Sequence, residues 1–456
     1  MLTPKLNLLQ ATLKRLMRRG AAGPLEKVLA KTHAADLAYL LSHFSETERL
    51  QLLGKCVSDD KRAEVLAAAD ADLAAGVLAA LPRERAVDLL HRIAPDDVSD
   101  ILEHLPNESA DDLLKGMRGS ERSEVEDLSR YDSATAGGIM NPRFLALDQN
   151  ITVREAIEQL QRMDTAIEMV FYVYVVNEHG QLQGVVSLRQ LVTNRPDTRL
   201  VSLMTSDVIS IQTDVHQEEV AKLASRYGLL AIPVVDPANK LLGIVTLDDV
   251  IDVLHEEAAE DILRMAGAGP QAGKPQTMWQ SLWARFPWLL ATCTGGAVGA
   301  LLLATYGPSL RAYLPMVFFL PLVLALAGVS GRQSATIVNQ SLGQGIQGRA
   351  LASQVFKQAL AGLLLGLVCG GVVSLFTWVW KLRAPLLSSV PLAEVILGAG
   401  VAAAVTSAAT LGALLPVLFA RIRLDPTLAT GPFVTISVDL TGLLLYLLIV
   451  TLFVVR

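Results

Sequence analysis

The feature that most constrains this chain is the separation of its acidic residues from its hydrophobic ones. The 456 residues include 39 Lys and Arg against 45 Asp and Glu. From Pro275 onward there are ten bases but only three acids, Glu394, Asp425 and Asp439. The first 274 residues therefore hold 29 bases and 42 acids, while the hydrophobic residues are concentrated after Trp288. This division excludes one uniform globular enzyme and predicts an acidic soluble part followed by a membrane part.

Five apolar stretches in the second part are long enough to cross a hydrocarbon core, which needs about 20 residues. If the acidic part lies in the cytoplasm, seven bases near these stretches fall on the cytoplasmic side and four on the other. This excess agrees with the positive-inside rule, so we expect a cytoplasmic N-terminus and a C-terminus outside. The predicted spans are Pro287–Leu310, Leu314–Val338, Gln354–Trp380, Val390–Phe419 and Pro432–Val455.

Small residues recur at four-residue spacing in two of these spans. Gly295 and Gly299 lie in the first, and Gly362, Gly366 and Gly370 lie in the third. Such spacing lets helix backbones approach closely in a membrane. We therefore interpret these glycines as packing positions within one bundle.

Asp439 lies about seven residues inside the last predicted span. A carboxylate near the bilayer centre costs about 2.5–3.5 kcal/mol even on the milder insertion scales, so it is expected to face a polar interior and to have a role. No predicted span has a Lys or Arg near its centre to pair with it, and Thr435, Ser437 and Thr441 add nearby oxygens. The pattern favours a cation site, and hard oxygens suit Mg²⁺, although spacing alone leaves Ca²⁺, Mn²⁺ and a proton open.

Two internal repeats divide the soluble part. Leu81–Leu90 and Leu105–Leu114 agree at seven of ten positions with a spacing of 24 residues, which predicts short stacked helices up to about residue 130. Gly184–Leu191 and Gly243–Val250 are also similar, and each follows an apolar strand and a turn. Two such units in register resemble a tandem CBS pair. A CBS pair usually senses a small ligand, often an adenine nucleotide.

The second unit leads into a helix with a stripe of acids. Asp249, Asp252, Glu256 and Glu260 follow one another at steps of three and four residues. Like charges stacked in this way repel, and a bound divalent cation relieves the repulsion. A solvated acidic face is the alternative interpretation. Because the helix precedes the first predicted span, we expect it to couple cation binding to a gate.

Taken together, these parts resemble, over nearly the whole chain, the MgtE family of magnesium channels and transporters. The most specific motifs are Gly328–Thr336, Asp425–Pro432 and Asp439–Gly442. The predicted organisation is an all-α helical-repeat acidic domain, an α/β tandem CBS pair, a connecting acidic helix and a five-helix transmembrane domain. The helical-repeat domain comprises residues 1–130, and the two CBS units comprise 131–200 and 201–254. The connecting helix with its linker comprises 255–274, and the transmembrane domain comprises 275–456.

The resemblance implies a homodimer with a pore on its two-fold axis and Asp439 as the pore aspartate that contacts hydrated Mg²⁺. It also implies that Mg²⁺ bound between cytoplasmic acids closes the pore. The matching acids are Glu64, Asp96 and Asp100 in the helical domain, Glu218, Asp249 and Asp252 in the CBS pair, and Glu257, Glu260 and Asp261 on the connecting helix.

Four positions depart from the family's pattern. Arg332 stands where Asn is common, and Gln190 replaces an Asp that can hold a nucleotide ribose. His216 and Gly228 stand where acids are frequent, so we expect weaker Mg²⁺ sensing.

The sequence thus predicts a passive Mg²⁺ uptake protein without a catalytic site, since no Gly-rich phosphate loop is present to hydrolyse ATP. The expected setting, judged from the resemblance, is a multi-pass protein of a bacterial inner membrane, in contact with lipid and without nucleic acid. Two alternatives remain: a broad divalent-metal transporter for Co²⁺ or Mn²⁺, and a membrane-anchored CBS sensor that does not transport.

Overall fold

The computed structural model describes residues 4–162, 171–266, 277–381 and 392–454. It divides into two compact units, Met1–His255 and Glu256–Arg456. Residues 267–274 of the predicted linker lie outside the described residues.

In the first unit, ten short helices precede residue 130, in agreement with the stacked helices that the repeat predicts. From α3 onward each helix packs against the helix two positions further along the chain, so odd and even helices form two layers. Leucines such as Leu66, Leu78 and Leu90 fill the core between them. The helices are α1 Pro4–Arg18, α2 Ala22–Lys31, α3 Ala34–Leu41, α4 Glu46–Gly54, α5 Asp59–Ala67, α6 Ala71–Ala79, α7 Arg83–Leu90, α8 Pro95–Glu103, α9 Asn107–Gly116 and α10 Gly119–Leu128.

Capping residues separate these helices. Ser45 forms a capping box with Glu48, and the Ser58 hydroxyl accepts a hydrogen bond from the Lys61 amide at 3.1 Å. Pro82 and Pro106 occupy the N-cap positions of α7 and α9. Each cap begins a new helix after a short turn, which is why the repeat gives many short helices and not a few long ones.

The CBS repeat forms two three-stranded sheets with the same topology. In both, the first strand pairs in parallel with the second, and the second pairs antiparallel with the third. A register shift occurs at the same place in each copy. The elements are β1 Ala146–Asp148, α11 Val153–Arg162, β2 Tyr172–Val176, β3 Leu182–Ser187, α12 Leu188–Thr193, α13 Leu200–Leu203, β4 Ile211–Gln212, α14 Gln217–Tyr227, β5 Ala231–Val235, β6 Leu241–Thr246 and α15 Leu247–Met265.

The second unit is helical, and α21 is its central helix, packed against α19, α20 and α22. α16 packs against α22. Helix bounds are α16 Met278–Thr305, α17 Gly307–Ala312, α18 Pro315–Phe318, α19 Leu320–Gly343, α20 Gly348–Lys381, α21 Ala393–Arg421, a 3-10 helix Pro426–Thr430 and α22 Pro432–Val454.

Four helices of the described residues are long and apolar enough to cross a membrane: α16, α20, α21 and α22. They correspond to four of the five predicted spans. The second predicted span differs. Its first residues form the short α18, and a separate helix, α19, runs from Leu320 to Gly343. α19 has sufficient length, but polar residues such as Arg332, Asn339 and Gln340 lower its hydropathy.

The glycine spacing has the packing role that the sequence predicts. A methyl group at Gly362, Gly366 or Gly370 of α20 would overlap atoms of α21. A methyl group at Gly295 of α16 would overlap Ile436 of α22. These glycines therefore allow neighbouring helices of the second unit to pack closely, as expected for helices in lipid.

Candidate cation site in the helical unit

Asp439 is the eighth residue of α22 and is partly buried against α19. A methyl group at Gly328 of α19 would lie 3.2 Å from its Oδ1 atom. One turn further along α19, Gly331 leaves room for Val438. Because these two glycines have no side chains, the backbone of α19 can approach α22 closely, with Gly328 beside the carboxylate of Asp439.

The hydroxyls near Asp439 are oriented by their own helix. Thr435 Oγ1 donates to the carbonyl of Gly431 at 3.4 Å, and Thr441 Oγ1 donates to the carbonyl of Ser437 at 2.8 Å. Their oxygen lone pairs remain able to accept a hydrogen bond or to contact a cation. Thr435 lies one turn before Asp439 and shares its face of the helix, whereas Ser437 and Thr441 lie two residues away on other faces.

The expectation that no base lies near the middle of the second predicted span does not hold for α19, the helix that carries most of that span and is not among the four candidate membrane helices. Arg332 is the thirteenth of the 24 residues of α19. A methyl group at Gly328 would lie 3.3 Å from the Nη1 atom of Arg332. The same methyl group would lie 3.2 Å from Asp439 Oδ1. The error comes from the helix bounds: because α18 is separate, α19 begins later than the predicted span and extends further, which moves Arg332 to its middle.

The predicted gating acids of the first unit are distributed over several elements. Glu64 forms an ion pair with Lys61 at 3.2 Å, and Glu218 forms one with Lys222 at 2.6 Å. Asp96 and Asp100 lie one turn apart on α8, and Asp96 is buried. Within the ranges that the structure describes, no three His, Cys, Asp or Glu side chains form a group that could hold a metal. Their role as ligands stays a prediction.

Two predicted acids lie at the start of α15. Asp249 Oδ2 accepts hydrogen bonds from the amide and the hydroxyl of Thr246, the amide at 3.1 Å, and so caps the helix. The Asp252 side chain is exposed, but neighbouring protein atoms still displace part of its hydration, and this raises the pKa of its carboxyl. The negative charge of nearby Asp248 raises the pKa further. Ionised Asp252 is therefore less stable here than in water, and a bound cation would offset this.

A contact that sequence reasoning missed lies within the second unit, at the end of α15. Arg264 bonds to Glu260 one turn earlier, and its Nη1 donates to Asp425 Oδ2 at 2.7 Å. Asp425 Oδ1 accepts from the amide of Thr427 at 2.8 Å and caps the 3-10 helix that precedes α22. A methyl group at Gly431 would lie 3.3 Å from the carbonyl oxygen of Arg264.

This contact joins the connecting helix to the segment that leads into α22. Partial burial opposes the charged form of Arg264, but the carboxylates of Glu260 and Asp425 raise its pKa overall, so it remains protonated. One feature of the sequence could have drawn attention to Asp425. It is one of only three acidic residues after Pro275.

The residues that replace family acids have structural roles of their own. His216 Nδ1 accepts from the amide of Glu218 at 3.3 Å and caps α14. Gly228 ends the same helix with φ +63°, a left-handed conformation that favours glycine. Gln190 forms a capping box with Ser187, and its Nε2 atom donates to the carbonyl of Leu203 at 3.2 Å.

Comparison with known proteins agrees with this architecture. Residues 320–449 match the MgtE family model described as a divalent cation transporter, residues 32–134 match the MgtE intracellular N domain, and residues 136–197 and 200–256 match CBS domains.

Similar proteins include magnesium transporters MgtE from two bacteria. The one from Thermus thermophilus is 37% identical over 333 residues, covering 72% of this chain and 71% of its own. That of Bacillus subtilis is 29% identical over 440 residues, covering 96% of both.

Two solved structures resemble the soluble part. A crystal structure of the cytosolic domain of the Mg²⁺ channel MgtE in complex with ATP shares 36% identity, covers 54% of this chain and 99% of its own, and has a TM-score of 0.51. A crystal structure of the soluble part of a magnesium transporter shares 30% identity, covers 56% of this chain and 100% of its own, and also has a TM-score of 0.51.

The fold and the matches define a membrane protein with an intracellular helical domain, a CBS pair and carboxy-terminal transmembrane helices. The chain belongs to the MgtE family, whose named relatives are transport proteins and not enzymes.

Proposed function

We propose that this chain is a passive Mg²⁺ channel that mediates uptake across the membrane and contacts the ion at Asp439. The observation that carries the proposal is the position of this carboxylate, which lies inside an apolar span and beside Gly328 of α19. A carboxylate at this depth is costly, and a cation path gives that cost a function.

The proposed membrane topology has five spans, which are the four candidate membrane helices and α19. Its 24 residues extend about 36 Å, which exceeds the roughly 30 Å of a hydrocarbon core. It packs against α21 and α22, and polar residues such as Ser330, Ser334 and Asn339 are buried. We place the N-terminus in the cytoplasm and the C-terminus outside, in a bacterial inner membrane, with a homodimer around the pore as the family resemblance implies.

In this proposal Mg²⁺ bound by the cytoplasmic acids closes the pore. Carboxylate oxygens are the ligands that Mg²⁺ prefers, so the donor set of α8 and α15 fits that ion. A bound Mg²⁺ would supply positive charge that reduces repulsion among those acids. The raised pKa of Asp252 supports this part of the proposal, because an acid that is destabilised when ionised gains from a neighbouring cation.

The CBS pair is a proposed site for an adenine nucleotide. The support is the relative whose cytosolic domain was crystallised with ATP, together with the shared topology of the two sheets. ATP would act as a ligand here and not as a fuel. A divalent ion that enters an inside-negative cell gains about 4.6 kcal/mol per 100 mV, which is sufficient to drive uptake.

The test is Mg²⁺ uptake into proteoliposomes that contain the full chain, with an inside-negative potential and no ATP. Uptake should occur at low Mg²⁺ on the side of the soluble part and should fall at high Mg²⁺ on that side. If uptake is absent under both conditions, the transport proposal fails and a membrane-anchored CBS sensor becomes the better account. If Co²⁺ or Mn²⁺ is itself taken up and competes with Mg²⁺ at equal concentration, the protein is a broad divalent-metal transporter.

A further inference from the structure

Arg332 and Asp439 form a pair of opposite charges within the helical unit. Asp439 Oδ1 and Arg332 Nη1 lie 3.2 Å and 3.3 Å from one point, the position of a methyl group at Gly328. Because both groups lie so near that point, their separation cannot exceed the sum of these two distances. Glycine at 328 leaves the space between them open.

The two groups do not form a direct ion pair. Among the described residues, no nitrogen of Arg332 lies within 4.0 Å of an oxygen of Asp439. The gap is therefore wider than a hydrogen bond but narrow enough for one bridging water, which would make two bonds of about 2.8 Å. Arg332 is exposed at the surface of the single chain, so its guanidinium has freedom to move towards or away from the carboxylate.

This arrangement places a fixed positive charge beside the proposed cation site. With Arg332 present, the pair has no net charge, whereas Asp439 alone would attract a divalent ion with its full negative charge. A cation that binds Asp439 also meets repulsion from the guanidinium a few ångströms away. Both effects weaken cation binding at this position.

We propose that Arg332 sets the cation affinity of the ion path, as a tethered cation that competes with the permeating ion for Asp439. The inference rests on the proposed function, since it assumes that a cation passes Asp439. It predicts that this chain conducts only at higher Mg²⁺ concentrations than the same chain with a neutral residue at 332. A purely structural role for Arg332 would not produce that concentration dependence.

The test compares Mg²⁺ uptake at a series of external Mg²⁺ concentrations for the full-length wild type, Arg332→Gln, Arg332→Asn and Arg332→Lys. Either neutral variant should lower the half-saturating Mg²⁺ concentration about tenfold, as expected for removing a unit charge a few ångströms from the site. Arg332→Lys keeps the charge and should stay within about twofold of wild type. The matched control is Arg349→Gln, which removes the same charge in the first turn of α20 and should change nothing.

The outcomes separate the inference from the proposed function. Two neutral variants are included so that failure of one to fold, judged by gel filtration in detergent, leaves the other to decide. Unchanged half-saturation in a folded neutral variant, or an equal shift in Arg332→Lys, overturns the role of Arg332 and leaves the Mg²⁺ path intact. Absence of uptake in wild type and in all variants overturns both.

Discussion

Asp439 in α22 and the acids of the soluble part have the same functional group in very different surroundings. Around Asp439 the helices are apolar, and Arg332 is the charged residue that the structure places beside it. In the soluble part, Glu64 and Glu218 have lysine partners within 3.2 Å and 2.6 Å. A single carboxylate in an apolar, poorly solvated region is strong evidence for a functional site. Among many charged residues at a solvated surface, the position of a carboxylate alone does not indicate such a site.

The two regions also differ in how their helices pack. The short helices of the first unit bury leucines between two layers. The long helices of the second unit meet through glycines, with Gly412 of α21 against the backbone of Gly331 of α19. Packing by backbone contact leaves less space for larger side chains, so the second unit should tolerate them less well at its glycines.

The largest effect is expected from Gly370→Leu in α20. A side chain there meets the backbone carbonyl of Gly398 in α21, and backbone atoms cannot move aside cheaply, so the substitution should destabilise the protein by about 3 kcal/mol or more. The measurement is the thermal midpoint of the detergent-solubilised protein. Gly371→Leu is the matched control, since a methyl group at Gly371 has nothing within 4 Å. Equal loss in both variants would contradict packing through the glycine face.

A smaller effect is expected from Arg264→Ala. It removes the 2.7 Å bond to Asp425 that joins the end of α15 to the segment before α22. Because both side chains are about one-third exposed, we expect about 1 kcal/mol of coupling in a double-mutant cycle with Asp425→Asn.

The comparison for that cycle is the exposed ion pair between Arg130 and Asp127, whose side chains are 77% and 61% exposed. Its coupling should be close to zero. If the pair of Arg264 and Asp425 couples no more strongly, the end of α15 is not fastened to the transmembrane helices by this contact.

The smallest effect is expected from Asp252→Asn. Since the folded-state pKa of Asp252 is raised, the contribution of Asp252 to stability is fully present below its unfolded pKa of about 3.9 and is lost as pH rises through the folded pKa. Without divalent cations, the variant should therefore have the slightly higher thermal midpoint at pH 7, and the difference should shrink towards pH 4.

Added Mg²⁺ at pH 7 should also reduce that difference, because a cation stabilises ionised Asp252. Glu178→Gln, at an exposed position between β2 and β3, is the control for the loss of one negative charge. A variant midpoint at or below that of wild type at pH 7 would argue against Asp252 as a cation-sensitive position.

Local patterns in the sequence predicted much of this fold. The Gly184 and Gly243 motifs repeat in register, and the two sheets indeed share topology and the position of their register shift. Asp439 was identifiable because an acid inside an apolar stretch is costly whatever surrounds it.

Contacts between distant segments were not predictable in the same way. Arg264 and Asp425 are 161 positions apart, and no local pattern connects them. The depth of Arg332 depends on where α19 begins, and the break between α18 and α19 is not visible in average hydropathy. Each required knowledge of how helices that are remote in sequence come together.

The most direct test of the central claim is Mg²⁺ uptake by Asp439→Asn at a fixed inside-negative potential. The matched control is Glu394→Gln, which alters an acid of the same unit that pairs with Lys381 at 3.3 Å. If Asp439 contacts the permeating ion, uptake by Asp439→Asn falls to the level of protein-free vesicles while Glu394→Gln retains most of the wild-type rate. Wild-type uptake by a folded Asp439→Asn protein would contradict the account.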